Sequence, residues 1–417
     1  MQQHRRIEIM APAGNRSCLK TAILAGADAV YLGIESFNMR QGAVNFKLRT
    51  LPSLVKLTHT EGVKVYLTLN TLIHQNELSA LNRVMDSVAK SGVDAVIAWD
   101  PAVMRLASER KIPVFASTQC SISNTAAMLE YHERFGIKRF VLARECPLSS
   151  IRSMRRELKR KGLEDLEIEV FAHGAMCVSI SGRCYISEFM HGKSANRGSC
   201  TQPCRREYTI RDDKRAQELT AGPHYLLSPQ DLCTLPFLEK VLDAGVNSLK
   251  IEGRNRSPEY VYAVTRAYRS VVNAWSQSST ISPEQIAEIK REAMISLESV
   301  YHRGLSSGFY HGLPIAQWTA DNGNQATHKK MYIGKVLNFF ARNSVCHIKV
   351  ENQGLKIGET LYVQGATTGH QEFPCPELFN QGTSITEAEL GQEVTMKIPC
   401  RVRRNDQIYR VVQNAVR

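Results

Sequence analysis

Residues 25–33 read AGADAVYLG, and the same phrasing returns as SGVDAVIAWD at 91–100, FGIKRFVLARE at 135–145 and AGVNSLKIEGR at 244–254. Each copy sets a glycine ahead of a short apolar run. Gly26, Gly92, Gly136 and Gly245 read as the residues that end a helix, where φ is often positive and glycine meets least strain. Every copy therefore marks a helix handing over to a strand. Working outward, β-rich apolar runs recur at 7–10, 29–32, 63–69, 95–99, 114–116, 140–143, 168–171 and 248–251. Between most of them lie segments with helical spacing, such as Leu78, Leu81, Val84, Met85 and Val88. Eight alternations predict an α/β fold, a TIM-type (β/α) barrel, with an open doubly wound sheet as the alternative.

The interval between strands seven and eight, about 174–247, is far longer than an ordinary strand-to-helix connection. It holds five of the eleven cysteines, Cys177, Cys184, Cys200, Cys204 and Cys233. Helical patterns occupy 258–275 and 283–300, then comes a connector at 312–330. Alternating runs at 332–339, 345–350, 360–363 and 393–398 predict a small C-terminal β-barrel. The expected domains are 1–325, a barrel with a cysteine-rich insertion, and 326–417.

A chain of 417 residues that is 43% hydrophobic can bury a large core. It has no apolar stretch of about eighteen residues, and its opening lacks the apolar region of a signal peptide, so the expectation is a cytoplasmic protein off the membrane. In that compartment eleven cysteines stand for thiols rather than disulfides. The net charge of +13 favours a polyanion such as RNA or DNA. The run at 151–162 puts Arg152, Arg155, Arg156, Lys159, Arg160 and Lys161 on one helix, and Arg205 and Arg206 sit beside the cysteine loop. A solvated helix face is the alternative for the first run.

In a barrel of this kind the strand C-terminal ends form the functional face. The residues just beyond the apolar runs are polar: Asn70, Asp100, Gln119, Arg144, Glu145, His173, Glu252 and Arg254, with Arg40 following the second run at a slightly greater distance. Arginine forks match carboxylates and phosphates, so Arg40, Asn70, Gln119, Arg144, Glu252 and Arg254 are the candidates for holding an anionic ligand. His173, Asp100 and Glu145 are the candidates for catalysis. Each has a structural alternative: Asp100 as a helix cap, Glu145 as a partner for Arg144, His173 as a core histidine.

Thiolates are soft ligands that suit iron-sulfur clusters and zinc. Gaps of six, fifteen, three and twenty-eight residues between these cysteines fit a zinc ribbon poorly, and no third cysteine lies close enough to Cys200 and Cys204 for a radical-SAM centre. The outlying Cys18, Cys120, Cys146, Cys346, Cys375 and Cys400 read as structural thiols.

HGAMCVSISGRCYIS at 173–187, GSCTQPCRR at 198–206 and KIEGR at 250–254 resemble the collagenase-like U-type peptidase family. APAG at 11–14, STQCSISN at 117–124, LARE at 142–145 and RGLSSGF at 303–309 extend the resemblance across the barrel. It implies, despite the family's name, hydroxylation of tRNA uridine, ribosomal RNA cytidine or a quinone precursor. It also implies a [4Fe-4S] cluster whose ligands here would be Cys177, Cys184, Cys200 and Cys233, with Cys204 able to replace Cys177 or Cys233. Length favours the tRNA branch, which implies an RNA-modifying hydroxylase forming 5-hydroxyuridine at the wobble position, with prephenate as co-substrate or ligand and an electron or oxygen donor as further partner. The rim arginines would then hold prephenate's carboxylates. Peptide hydrolysis, with Cys184 or Ser181 as nucleophile and His173 as base, is set aside because no HExxH occurs and a core histidine explains His173 nearly as well. A non-catalytic RNA-binding partner is the remaining class.

Overall fold

The apolar runs become eight parallel strands in the computed structural model, which describes residues 6–208, 210–212, 217–219, 225–278, 280–319 and 323–414. They are β1 (Glu8–Pro12), β2 (Ala29–Gly33), β3 (Lys64–Thr68), β4 (Ala95–Ala98), β5 (Val114–Ala116), β6 (Arg139–Val141), β7 (Glu167–Gly174) and β8 (Ser248–Ile251). β8 hydrogen-bonds to both β1 and β7, so the sheet closes on itself. Both faces of each strand are consequently buried, which is why the runs are apolar throughout instead of alternating with polar residues. Met10, Ala29, Tyr31, Tyr66, Ala95 and Ile97 form one cluster, while their neighbours Ile9, Val30, Leu32, Val65, Leu67 and Val96 join the large cluster made with the helices. Two-residue periodicity separates the filling of the barrel from its jacket.

The jacket is α1 (Arg16–Leu24), α2 (Leu51–Thr60), α3 (Leu78–Ala89), α4 (Pro101–Glu109), α5 (Thr125–Phe135) and α6 (Leu148–Arg160). Asn15, Asp100 and Asn124 cap α1, α4 and α5 by accepting the backbone N–H of Cys18, Ala102 and Ala127. The repeat glycines Gly26, Gly92, Gly136 and Gly245 have φ of 86°, 79°, 67° and 90°. Charge runs through the barrel interior: Lys250 Nζ lies 3.0 Å from Glu169 Oε1, and Arg139 is 3.7 Å from Glu169 and 2.6 Å from Glu167.

After β7 the chain departs from the repeat. The short helix α7 (Ile186–His191) lies in the cysteine-bearing segment, and the strand Asp231–Cys233 pairs antiparallel with the end of β7, Cys233 opposite His173. α8 (Leu238–Asp243) then leads into β8, and α9 (Pro258–Ser276) packs against α10 (Pro283–Ser299). Among the described residues no helix is long and apolar enough to cross a membrane.

The C-terminal strands are β9 (His328–Phe340), β10 (Val345–Val350), β11 (Thr360–Gly365), β12 (Gly369–Pro374), β13 (Leu378–Asn380), β14 (Thr383–Ile385), β15 (Glu393–Lys397) and β16 (Gln407–Gln413). Their order is β12-β11-β16-β9-β10-β15-β13-β14. The expected C-terminal β-barrel is thereby corrected: this sheet is open, because its end strands β12 and β14 do not pair with each other. The β12 edge meets the main barrel instead, with Gly369 against Thr21 and Leu24 of α1, and an edge covered in this way needs no closing partner. Ile333, Val336, Ile348, Leu361, Val394 and Ile408 belong to a separate buried cluster under this sheet. Part of the connector, 320–322, lies outside the described residues.

Candidate active site

The strand ends of the main barrel converge on a cavity of about 110 Å³. Its lining includes Tyr31, Arg40, Thr68, Asn70, Gln119, Arg144, Lys250, Glu252 and Arg254 from the barrel, and Cys177, Cys184, Cys200 and Cys204 from the insertion. The six candidates for holding an anion all line it.

Glu252 organises the arginines. It accepts from Arg40 Nη2 at 3.2 Å and from Arg144 Nη2 at 3.4 Å. Burial alone would push its carboxyl upward in pKa, but Arg40, Arg144 and Arg254 together hold it below the ordinary value of 4.5. Arg254 donates to the neutral Asn38 Oδ1 (3.2 Å) and Thr68 Oγ1 (2.9 Å). Burial, then the neighbouring Arg40, push its pKa down to about 10. Arg144 stacks on Phe171 with its guanidinium carbon 4.1 Å from the ring centroid, and its Nε is buried without a partner. Three guanidiniums gather around one carboxylate that only Arg40 and Arg144 contact directly, an excess of positive charge that suits an anionic group on a ligand.

The thiols face this set from the insertion, whose loops are pinned to the barrel. Ser181, at φ 47°, donates its N–H and hydroxyl to the Glu145 carboxylate at 2.7 and 3.0 Å. Asn196 Oδ1 accepts the Cys184 N–H at 3.2 Å, and Arg205 Nη1 donates to Ser228 Oγ and the Pro229 carbonyl at 2.7 and 2.8 Å. Cys184 Sγ accepts from the Ile186 N–H and Cys200 Sγ from the Gln202 N–H, each at 3.4 Å. Burial pushes the Cys204 thiol up; Arg205 opposes this, and nearby Cys177, Cys200 and Cys184 add to it.

The catalytic candidates stand elsewhere. Asp100 caps α4 through Ala102 and also accepts the Ile73 N–H at 3.0 Å. Glu145 anchors Ser181. His173 is 1% exposed, with its ring centroid 6.0 and 5.7 Å from those of Tyr260 and Tyr268, and burial drives its pKa down to about 4. None of the three lines the cavity. Lys250 and Thr68, which do, were not among the sequence candidates. They precede Glu252 and Asn70 by two residues, so strand periodicity puts each pair on one side, and that was the available signal.

The expected cofactors need correction. Among the described residues no group of three or more His, Cys, Asp or Glu side chains is arranged to hold a metal ion. The ligand set proposed for a [4Fe-4S] cluster is not assembled: Cys233 is 3% exposed in the strand beside β7, its Sγ 3.9 Å from Tyr268 Oη, and it does not line the cavity. With the expected cluster ligands apart, prephenate loses the cluster it was expected to act beside. On α6, Arg152, Arg156 and Lys159 to Lys161 are exposed, whereas Arg155 is spent on the Gly245 and Leu166 carbonyls and Asn247 Oδ1.

The profile of Peptidase family U32 matches residues 14–320. The chain belongs to this family. A U32 relative named collagenase, from Porphyromonas gingivalis, is 39% identical over 409 residues, 97% of each chain. A 23S rRNA 5-hydroxycytidine synthase of Escherichia coli is 34% identical over 86% of this chain and 56% of its own length. The tRNA hydroxylation protein P1 of Bacillus subtilis is 32% identical over 80% of this chain and 78% of its own. Setting peptidase activity aside in favour of an RNA-modifying hydroxylase is corrected by the first of these, because end-to-end similarity to a protein named collagenase argues for peptidase activity.

Proposed function

We propose that the chain is a U32 enzyme acting on a substrate in the mouth cavity, and that the substrate is a peptide. The observation that carries this reading is the meeting of nucleophilic thiols and guanidinium forks in one cavity, in a chain similar to a collagenase over nearly its whole length. Cys184 Sγ attacks the scissile carbonyl, the C–N bond breaks with the thiol proton passing to the departing amine, and water then hydrolyses the thioester, giving the carboxylic acid and returning a proton to Sγ. The Ile186 N–H already reaches Sγ at 3.4 Å and helps to fix its position. Arg40, Arg144 and Arg254 hold a carboxylate of the peptide. His173, buried away from the cavity, takes no part in this scheme.

A second reading is hydroxylation of an RNA base, such as the wobble uridine of tRNA. It is supported by the relatives named for RNA hydroxylation and by the net charge of +13. Purified full-length protein and Cys184→Ala are incubated with a collagen-type peptide and the products weighed, while nucleosides from tRNA and ribosomal RNA of a deletion strain are analysed in parallel. Cleavage by wild type and not by the variant is expected. An intact peptide together with hydroxylated nucleosides missing from the deletion strain would replace the first reading with the second.

A further inference from the structure

Beside the mouth, the cysteine-bearing segment turns large apolar side chains outward. Phe189 is 87% exposed, Ile180 68%, Tyr185 65% and Met190 49%. The rings of Tyr185 and Phe189 stand edge to face with centroids 6.2 Å apart. Tyr185 caps α7, Phe189 lies within it, and Cys184 next to Tyr185 lines the cavity, so this patch borders the mouth. Apolar surface clustered at the rim of a site marks a place where something docks.

The surrounding charge says what. Arg183, Lys193 and Arg206, from the same segment, are exposed, and among the described residues none of them is in an ion pair. The Arg183 guanidinium lies 5.8 Å over the Trp99 ring and donates to Ser121 Oγ at 2.9 Å, which leaves its charge uncompensated. Exposed aromatic faces with unpaired cations are the two components of a single-strand nucleic-acid surface: rings stack on any base, and cations track the phosphates. A duplex would offer only the cations something to bind, because its base faces are already stacked. A peptide would use the rings but has no general need of the cations, and the chain's net charge of +13 favours a polyanion.

We propose that this rim is a landing surface for single-stranded RNA, with unstacked bases on Tyr185 and Phe189 and backbone phosphates near Arg183, Lys193 and Arg206. The proposal rests on the RNA reading for its class of ligand. The test is fluorescence anisotropy of the full chain with a labelled single-stranded RNA of mixed sequence, and with the same sequence as a duplex. Tyr185→Ala with Phe189→Ala is expected to weaken single-strand binding roughly tenfold or more and leave duplex binding unchanged. Tyr185→Phe with Phe189→Tyr keeps two rings and retains wild-type affinity. Both side chains are exposed, and thermal melting checks that the variants remain folded. Unchanged single-strand affinity in the double alanine variant overturns the surface, as does an equal loss for duplex, or a loss confined to a collagen-type peptide. Wild type that binds no RNA overturns the RNA reading itself, and the surface with it.

Discussion

Glu252 is one buried carboxylate among three guanidiniums, and its removal leaves Arg40 and Arg144 without the anion that both contact. Glu252→Gln is expected to cost about 3–5 kcal/mol, read from the shift of a denaturant midpoint; a change under about 1 kcal/mol would mean that the arginines are solvated rather than held. Thiol placement makes a second prediction. Under native conditions an alkylating reagent with mass spectrometry as the readout should label Cys177 and Cys200 first and Cys184 and Cys204 more slowly, because the first pair is exposed and the second half-buried. Cys233, buried beside β7 and with its thiol pushed up to about 11 by that burial, should stay unlabelled until the protein unfolds. Rapid labelling of Cys233 would contradict its position. At this scale the residue types were legible. Arg40, Arg144, Glu252 and Arg254 could be chosen because each comes after an apolar run, and in the fold they line one cavity. The choice between Cys204 and Cys233 could not be read, because spacing along a loop does not say on which side of β7 the chain returns.

Among the elements, β7 does most to set the mouth, since its last residue is where the chain leaves the barrel pattern. Gly174 has φ of 109°, and a Cβ there would stand 2.7 Å from the Glu252 carbonyl oxygen. Gly174→Ala therefore meets both a disfavoured backbone conformation and a collision with rigid backbone, and should lose about 2 kcal/mol or more in a thermal or urea melt. Stability within about 0.5 kcal/mol of wild type would show that the β7 end is free to shift. The barrel strands were readable because burial on both faces makes each an uninterrupted apolar run. The C-terminal sheet was harder. β16, with the sequence QIYRVVQ, pairs with both β9 and β11, yet it carries polar residues at both ends and no strict alternation. A sheet with one solvated face leaves a weaker pattern, and whether it closes depends on what its edges meet.

For the whole molecule, we propose two folding units, 1–325 and 326–417, joined through Glu259 of α9. Glu259 accepts from Lys330 Nζ at 3.0 Å and from Gln364 Nε2 at 2.8 Å. Glu259→Ala should loosen that joint, seen as faster hydrogen exchange in β9 and β11 with protection of the main barrel strands unchanged; uniform exchange changes throughout would count against two units. Acid stability also belongs to this scale. His173 in the main barrel and His370 in the C-terminal sheet are both held near pKa 4 by burial, against an ordinary value of 6.5. The unfolded chain takes up these protons first, so their contribution is fully present above about pH 6.5 and lost as pH falls towards 4, about 3 kcal/mol for each. Glu252 adds a further loss below pH 4.5, where its depressed pKa begins to count. A denaturant midpoint that stays level from pH 7 to pH 4.5 would remove the histidine contribution. By itself, the amino-acid sequence determined the parallel barrel and the polar ring at its strand ends, because helix and strand periodicities and terminating glycines are written locally. Only the tertiary structure decided which cysteines meet at the mouth, that His173 turns away from it, and that the C-terminal sheet stays open, because each depends on contacts between segments far apart in the chain.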